Sequence, residues 1–178
     1  MIFKASADGR FRIPASPETP SREVRCALGP GGVVAAAAKR EGDGATPAGR
    51  WPWRRVLYRP DRAAPPTTGL PLQPLLPDDG WCDAPGDPAY NRPVKLPYPA
   101  SAEIMWRDDA LYDLVVVLGY NDDPPLAGHG SAIFLHCART DFAPTQGCVA
   151  LARDDLETAL AIADEGALLE VLGVGPLD

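Results

Sequence analysis

Proline restricts this chain more than any other residue. Twenty-one of its 178 residues are proline, about twice the usual frequency of ~5 %, and they crowd into 60–99 and 122–125. Proline has no N–H to give to a sheet ladder, so these stretches read as loops or edge coverings rather than sheet interior. The segments between them are short and β-rich. Trp53-Arg54-Arg55-Val56-Leu57-Tyr58 alternates apolar and charged faces, the pattern of a half-buried strand. Leu111 to Leu118 and Ser131 to His136 are continuous apolar runs and read as central strands. Glu23 to Leu28 and Gly32 to Ala38, separated by Gly29-Pro30-Gly31, read as two strands of a hairpin, although the Ala-rich 35–38 would equally support a helical turn.

One stretch departs from this pattern. Between Asp154 and Ala163, Leu156, Ala159, Leu160 and Ala163 recur at helical spacing, with Asp154 and Glu157 resembling a capping box and Gly166 a stop. Ala167 to Leu172 then closes the chain as a last strand. The spacing therefore predicts a mainly β fold, a β-sandwich with peripheral helices and a proline-rich loop insertion. Residues 1–22, rich in proline, serine and charge, read as an N-terminal extension, draped over the surface or partly ordered, and 23–178 as one domain.

Charge and cysteine usage narrow the function classes. A net charge of −7 would repel a nucleic-acid backbone, so nucleic acid is not an expected partner. There is no apolar run of membrane-spanning length, and Met1 to Ser6 lacks the pattern of a signal peptide. Cys26, Cys82, Cys137 and Cys148 are scattered, without metal-ligand spacing. His129, His136, Cys137 and Cys148 could be imagined around zinc. Adjacent His136 and Cys137 on a strand point to opposite faces, however, so neither metal nor other cofactor is expected.

The chemistry concentrates late in the chain. His136 lies twelve residues before Cys148, with apolar flanks on both sides, so two neighbouring strands joined by a polar loop would bring the pair together. A thiol that does acyl chemistry needs a base to take its proton, and His136 is that candidate. Gly147 removes a side chain where a substrate carbonyl must approach, leaving the N–H groups of Gly147 and Cys148 to face an oxyanion.

A second segment, Gly44-Ala45-Thr46-Pro47-Ala48-Gly49, adds specificity. It lacks the Lys-Ser/Thr ending of a phosphate loop and reads as a turn. Together with His136 and Thr145-Gln146-Gly147-Cys148 it resembles the L,D-transpeptidase catalytic domain (YkuD type), in which a Gly-x-Thr-Pro-x-Gly stretch precedes a His and a Ser/Thr-x-Gly-Cys motif. The resemblance runs from about Val24 to Val171. It implies a β-sandwich-like enzyme that attacks peptidoglycan peptide stems, forms a thioester on Cys148 with His136 as base, and passes the acyl group to an amine. Cross-links of 3,3 or 1,3 type would result.

The resemblance also implies glycan strands as partners and a periplasmic or cell-envelope location. If Cys148 is catalytic, Cys26 and Cys82 are left as the pair that could form a disulfide. Two departures stand out: Ala150 where many members carry Arg, and Cys137 where many carry Gly. Arg139 or Arg50 is the candidate replacement cation, and Thr145 a candidate substrate contact. Trp81, Tyr90, Asn91, Arg92, Tyr98, Ser101, Tyr120 and Asn121 flank the proline-rich region and are candidates for a sugar or peptide-stem groove. Hydrolysis in place of transfer, as a carboxypeptidase or amidase, and a noncatalytic peptidoglycan-binding module are the alternatives.

Overall fold

The computed structural model describes residues 1–173, 175 and 177. In chain order the strands are β1 (Ile2–Ser6), β2 (Arg10–Ile13), β3 (Arg22–Ala27), β4 (Val33–Ala35), β5 (Thr46–Tyr58), β6 (Leu72–Pro74) and β7 (Asp79–Cys82). There follow β8 (Pro93–Lys95), β9 (Ala102–Ile104), β10 (Leu114–Leu118), β11 (Phe134–Cys137), β12 (Val149–Leu151), the helix α1 (Arg153–Ile162) and β13 (Leu168–Leu172). Short 3-10 turns occupy Ala36–Ala38 and Ala110–Tyr112.

The main sheet runs β10-β11-β12-β3-β2-β1-β13-β5-β4 and also closes between β10 and β5. The long strand β5 makes this closure. Its first part, Gly49 to Pro52, pairs with β13, and its second, Trp53 to Tyr58, pairs with β10. One strand thus serves both layers of the sandwich. Their inner faces meet in a core of Phe3, Phe11, Trp53, Val56, Val116, Leu135, Val149 and Leu151, joined by Leu156, Ala159 and Leu160 of α1. Phe3 stacks on Trp53 with ring centroids 4.3 Å apart, a pair that ties β1 to β5.

That contact corrects the reading of residues 1–22. β1 pairs with β2 and, in parallel, with β13, and Phe3, Ala5, Phe11 and Ile13 are buried. The alternation Phe3-Lys4-Ala5 and Phe11-Arg12-Ile13 is that of strands with one face in the core. Composition had masked it. The proposed hairpin is also corrected: β3 pairs with β2 and β12, whereas β4 pairs in parallel with β5. Thr46 to Gly49 is the start of β5 rather than a turn. The helix lies where its spacing placed it, but Ala152 is its N-cap and gives no side-chain bond, so the capping box does not form.

The proline-rich region is built differently from a loop. It contributes β6 at the side of β5 and a separate sheet in the order β8-β7-β9. Pro74 ends β6 and Pro93 begins the edge strand β8, positions where a missing N–H costs no ladder bond. This small sheet covers the outer face of β10 and β11. There Trp81 and Met105 pack with Val115, Val117, Phe134 and Cys148 in a second core. Both faces of β10 are therefore buried, which explains its unbroken apolar run.

Candidate active site

The site forms where β11 and β12 run side by side. They are parallel, with Leu135 opposite Val149 and His136 opposite Ala150. Leu135 and Val149 point into the main core. Side chains alternate along a strand, so Phe134, His136 and Cys148 fall on the other face, towards the inserted sheet. Cys137, next to His136, is in the main core. His136 and Cys148 thus share a cleft of about 390 Å³ with Leu111, Tyr112, Ser131, Ala132, Pro144, Gln146, three carboxylates (Glu41, Asp83, Glu103) and two guanidinium groups (Arg107, Arg139).

Both central side chains rest in their neutral forms. The Cys148 thiol donates to the Ala132 carbonyl at 3.1 Å and accepts from the Phe134 N–H at 3.4 Å. Burial, reinforced by the nearby charge of Glu103, pushes it up to about 12, against the Phe134 N–H and Lys39. His136 is pulled down to about 4, chiefly by burial. Its Nδ1 lies 2.8 Å from the Cys137 carbonyl. A carbonyl can only accept, so Nδ1 carries the hydrogen and Nε2 is left with the basic lone pair. The ring meets Tyr112 edge-on at 5.3 Å.

The two halves of the sequence signature meet behind Cys148. The Gly29 N–H donates to Thr46 Oγ1 at 3.2 Å, and the Thr145 N–H donates to the Leu28 carbonyl at 3.1 Å. Gly147 has φ near +117°, and a Cβ there would sit 2.6 Å from the Ala45 carbonyl oxygen. Only glycine accepts both conditions. Thr46, fully buried, therefore fixes the turn that receives residues 145 to 148, a structural part.

Thr145 works on the same loop. Its Oγ1 donates to the Cys148 carbonyl at 2.7 Å and accepts from the Gly147 N–H at 3.1 Å. This corrects the expectation of two free oxyanion donors, because the Gly147 N–H already has a partner. Arg139 does reach the cleft; its guanidinium is half exposed and 3.6 Å from Asp109. Arg50 instead pairs with Glu170 at 2.7 Å, away from the cleft lining.

Four expected groove residues lie elsewhere: Trp81, Tyr90, Asn91 and Tyr120 are all buried. They hold the wall rather than form it. Trp81 Nε1 and the Ala132 N–H both donate to Asn91 Oδ1, at 2.9 and 3.0 Å. The Asn91 amide donates to the carbonyls of Tyr120 and Asn121. Tyr90 donates to Glu41 and accepts from the Gly130 N–H. This network supports Ala132, held at φ near +51°, whose carbonyl receives the thiol. Aromatic and amide residues beside prolines suit a sugar groove and a buried clamp equally well, so the sequence could not separate the two.

Glu41, Asp83, Glu103 and Tyr112 line the cleft without a signal in the sequence. Tyr112 was absorbed into the apolar run of β10, and a lone Glu103 in a three-residue strand carries no pattern. Among the described residues, no group of three or more His, Cys, Asp or Glu is disposed to hold a metal. All four cysteines are free and buried, so Cys26 and Cys82 are not joined. No helix among the described residues is long and apolar enough to cross a membrane.

The profile of the YkuD family, the L,D-transpeptidase catalytic domain, matches residues 15–171. The chain belongs to this family. Among solved structures, the domain is similar to the helical cell shape determining protein Pgp2 from Campylobacter jejuni, at 18% identity and a TM-score of 0.45, over 98% of this chain and 48% of that one. The K307A mutant of Pgp2 matches at 19% identity and a TM-score of 0.42, over 98% and 47%. This L,D-transpeptidase-family chain thus spans about half the length of those proteins. No curated protein matched it.

Proposed function

We propose that this L,D-transpeptidase-family domain is a cysteine acyltransferase acting on peptidoglycan peptide stems in the cell envelope. The observation that carries the reading is the shared cleft: His136 and Cys148 line one opening from adjoining parallel strands, in a chain of this family. Cys148 is the nucleophile and His136 Nε2 the base. A neutral thiol and a neutral imidazole make proton transfer costly until a carbonyl is in place, so the proton leaves sulfur as the C–S bond forms. The oxyanion is met by the Cys148 N–H, with Gly147 and Thr145 setting the direction of that peptide. Arg139 offers a charge at the open side of the cleft for a stem carboxylate.

Product analysis tests this reading. Purified disaccharide-tetrapeptide incubated with the protein should give cross-linked dimers by mass spectrometry, and fragmentation then reports 3,3 or 1,3 linkage. Shortened monomers without dimers would make the enzyme a carboxypeptidase. Unchanged substrate would leave a noncatalytic binding module and contradict the proposal.

A further inference from the structure

We propose that Glu103, delivered to the cleft by β9 of the inserted sheet and bonded to Tyr112, takes the proton from the amine that resolves the thioester. This rests on Cys148 being the acylated residue. His136 is then the base of the first half-reaction only, and the proline-rich insertion supplies the base of the second.

The geometry begins with placement. Glu103 sits in the middle of β9, whose neighbour Ile104 is largely exposed, so the strand turns Glu103 inward. Both Glu103 and Cys148 line the cleft, with Tyr112 beside them. Tyr112 Oη donates to Glu103 Oε1 at 2.5 Å, and the Tyr112 ring is edge-on to both His136 and Phe134. Phe134 in turn gives its N–H to the sulfur. The carboxylate is thereby held in the cleft that Cys148 lines, by a side chain packed on His136 and Phe134.

The chemistry calls for a second base. An alkyl amine arrives from water as an ammonium group with a pKa of about 10. His136, buried and already bonded through Nδ1, is a poor acceptor for a proton from a cation. A carboxylate attracts the ammonium and then accepts its proton. Asp83 assists: it lines the same wall, and its Oδ1 is shielded from water without a hydrogen-bond partner among the described residues. It is a ready acceptor for one ammonium hydrogen.

The step balances. The ammonium gives one proton to Glu103, and its nitrogen forms the C–N bond as the C–S bond breaks. The second nitrogen-bound proton passes to the departing sulfur. Amide, Cys148 thiol and protonated Glu103 result, and Glu103 loses its proton to solvent. The groups facing Glu103 all bear on its ionisation. Burial, chiefly, with Asp83 and Glu41, opposes the carboxylate, whereas Tyr112 and Arg107 favour it, and the net direction is upward from the ordinary glutamate value. Arg107 is held by Asp109 at 2.8 Å, so its charge is partly spent. Cys148 and His136 are neutral neighbours.

Single-turnover kinetics separate the two half-reactions. Disaccharide-tetrapeptide is the acyl donor, D-methionine the amine, and intact mass reports the acyl-enzyme. Glu103→Gln, which also removes the charge that opposes the Cys148 thiolate, should form the acyl-enzyme no more than about threefold slower than wild type but transfer it roughly 100-fold more slowly or worse, the ordinary worth of a general base. Glu103→Asp should recover part of the transfer rate. The wild-type transfer rate should rise through a carboxylate ionisation lying above the usual glutamate range, and Glu103→Gln should lose that limb. Transfer at the wild-type rate by Glu103→Gln, or parallel loss of acylation and transfer in it, would overturn the assignment. Absence of any wild-type acyl-enzyme, seen before amine is added, would instead overturn the role of Cys148 and this proposal with it.

Discussion

Replacing Gly29 by alanine is expected to destabilise this protein by about 3 kcal/mol or more and to silence Cys148, although Gly29 is not part of the cleft lining. A Cβ at residue 29 would lie 1.9 Å from the Gly44 carbonyl oxygen and 2.9 Å from the Gly147 nitrogen. Both obstacles are backbone, so no rotamer change relieves them. To admit the methyl, the 28–29 segment must part from Gly44-Ala45 and the start of β5 or from the loop that carries Cys148. Either movement breaks the Gly29 to Thr46 bond or disturbs the Thr145 to Leu28 bond. For a chain of this size such a loss lowers Tm by roughly 6–12 °C. Gly86→Ala is the control, because a Cβ there meets nothing within 4 Å and the change should stay within about 0.5 kcal/mol. Urea melts and the rate of Cys148 acylation measure both effects, and a wild-type midpoint for Gly29→Ala would refute the interlock.

Acid should unfold the wild-type protein earlier than a variant without the buried imidazole. His136 falls from 6.5 to about 4 on folding, mainly because burial disfavours its charge. The unfolded chain then binds the proton more tightly, so stability is full above pH 6.5 and drains as pH falls towards 4. The loss is on the order of 3 kcal/mol by the pKa difference. Glu103 acts with the opposite sign, since its raised pKa makes folding more favourable as it protonates. The lowered carboxyls of Asp43 and Asp109 stabilise the fold above their ordinary value of 3.8 and lose that stabilisation only as pH falls below it. Subtracting the His136→Phe profile from that of wild type isolates the imidazole. Parallel stability curves between pH 7 and 4 would show that His136 is not buried in its neutral form.

Those two sites mark how far the sequence could be read. The signature around Thr46 and the one around Cys148 were both legible, but their interlock was not, because contacts between backbone atoms of Gly29, Gly44 and Gly147 leave only glycines behind. β10 and β11 were visible as apolar runs because both faces are buried. The same runs hid the fact that one face meets the core and the other the inserted sheet. α1 was read from Leu156, Ala159 and Leu160, all buried. β1 and β2 were lost since charge and proline in residues 1–22 outweighed a four-position alternation. Trp81, Tyr90, Asn91 and Tyr120 carried the right chemistry for a ligand groove, and burial alone turned them into a scaffold.

Sulfur 148 should accept an acyl group in the cleft, whereas the other three thiols should not. Incubation with a carbapenem, followed by intact mass and peptide mapping, reads this in one experiment. A single adduct on the peptide bearing Cys148, absent from a folded Cys148→Ala variant, is the result expected. Equal labelling of both proteins, or an unmodified wild type, would contradict it.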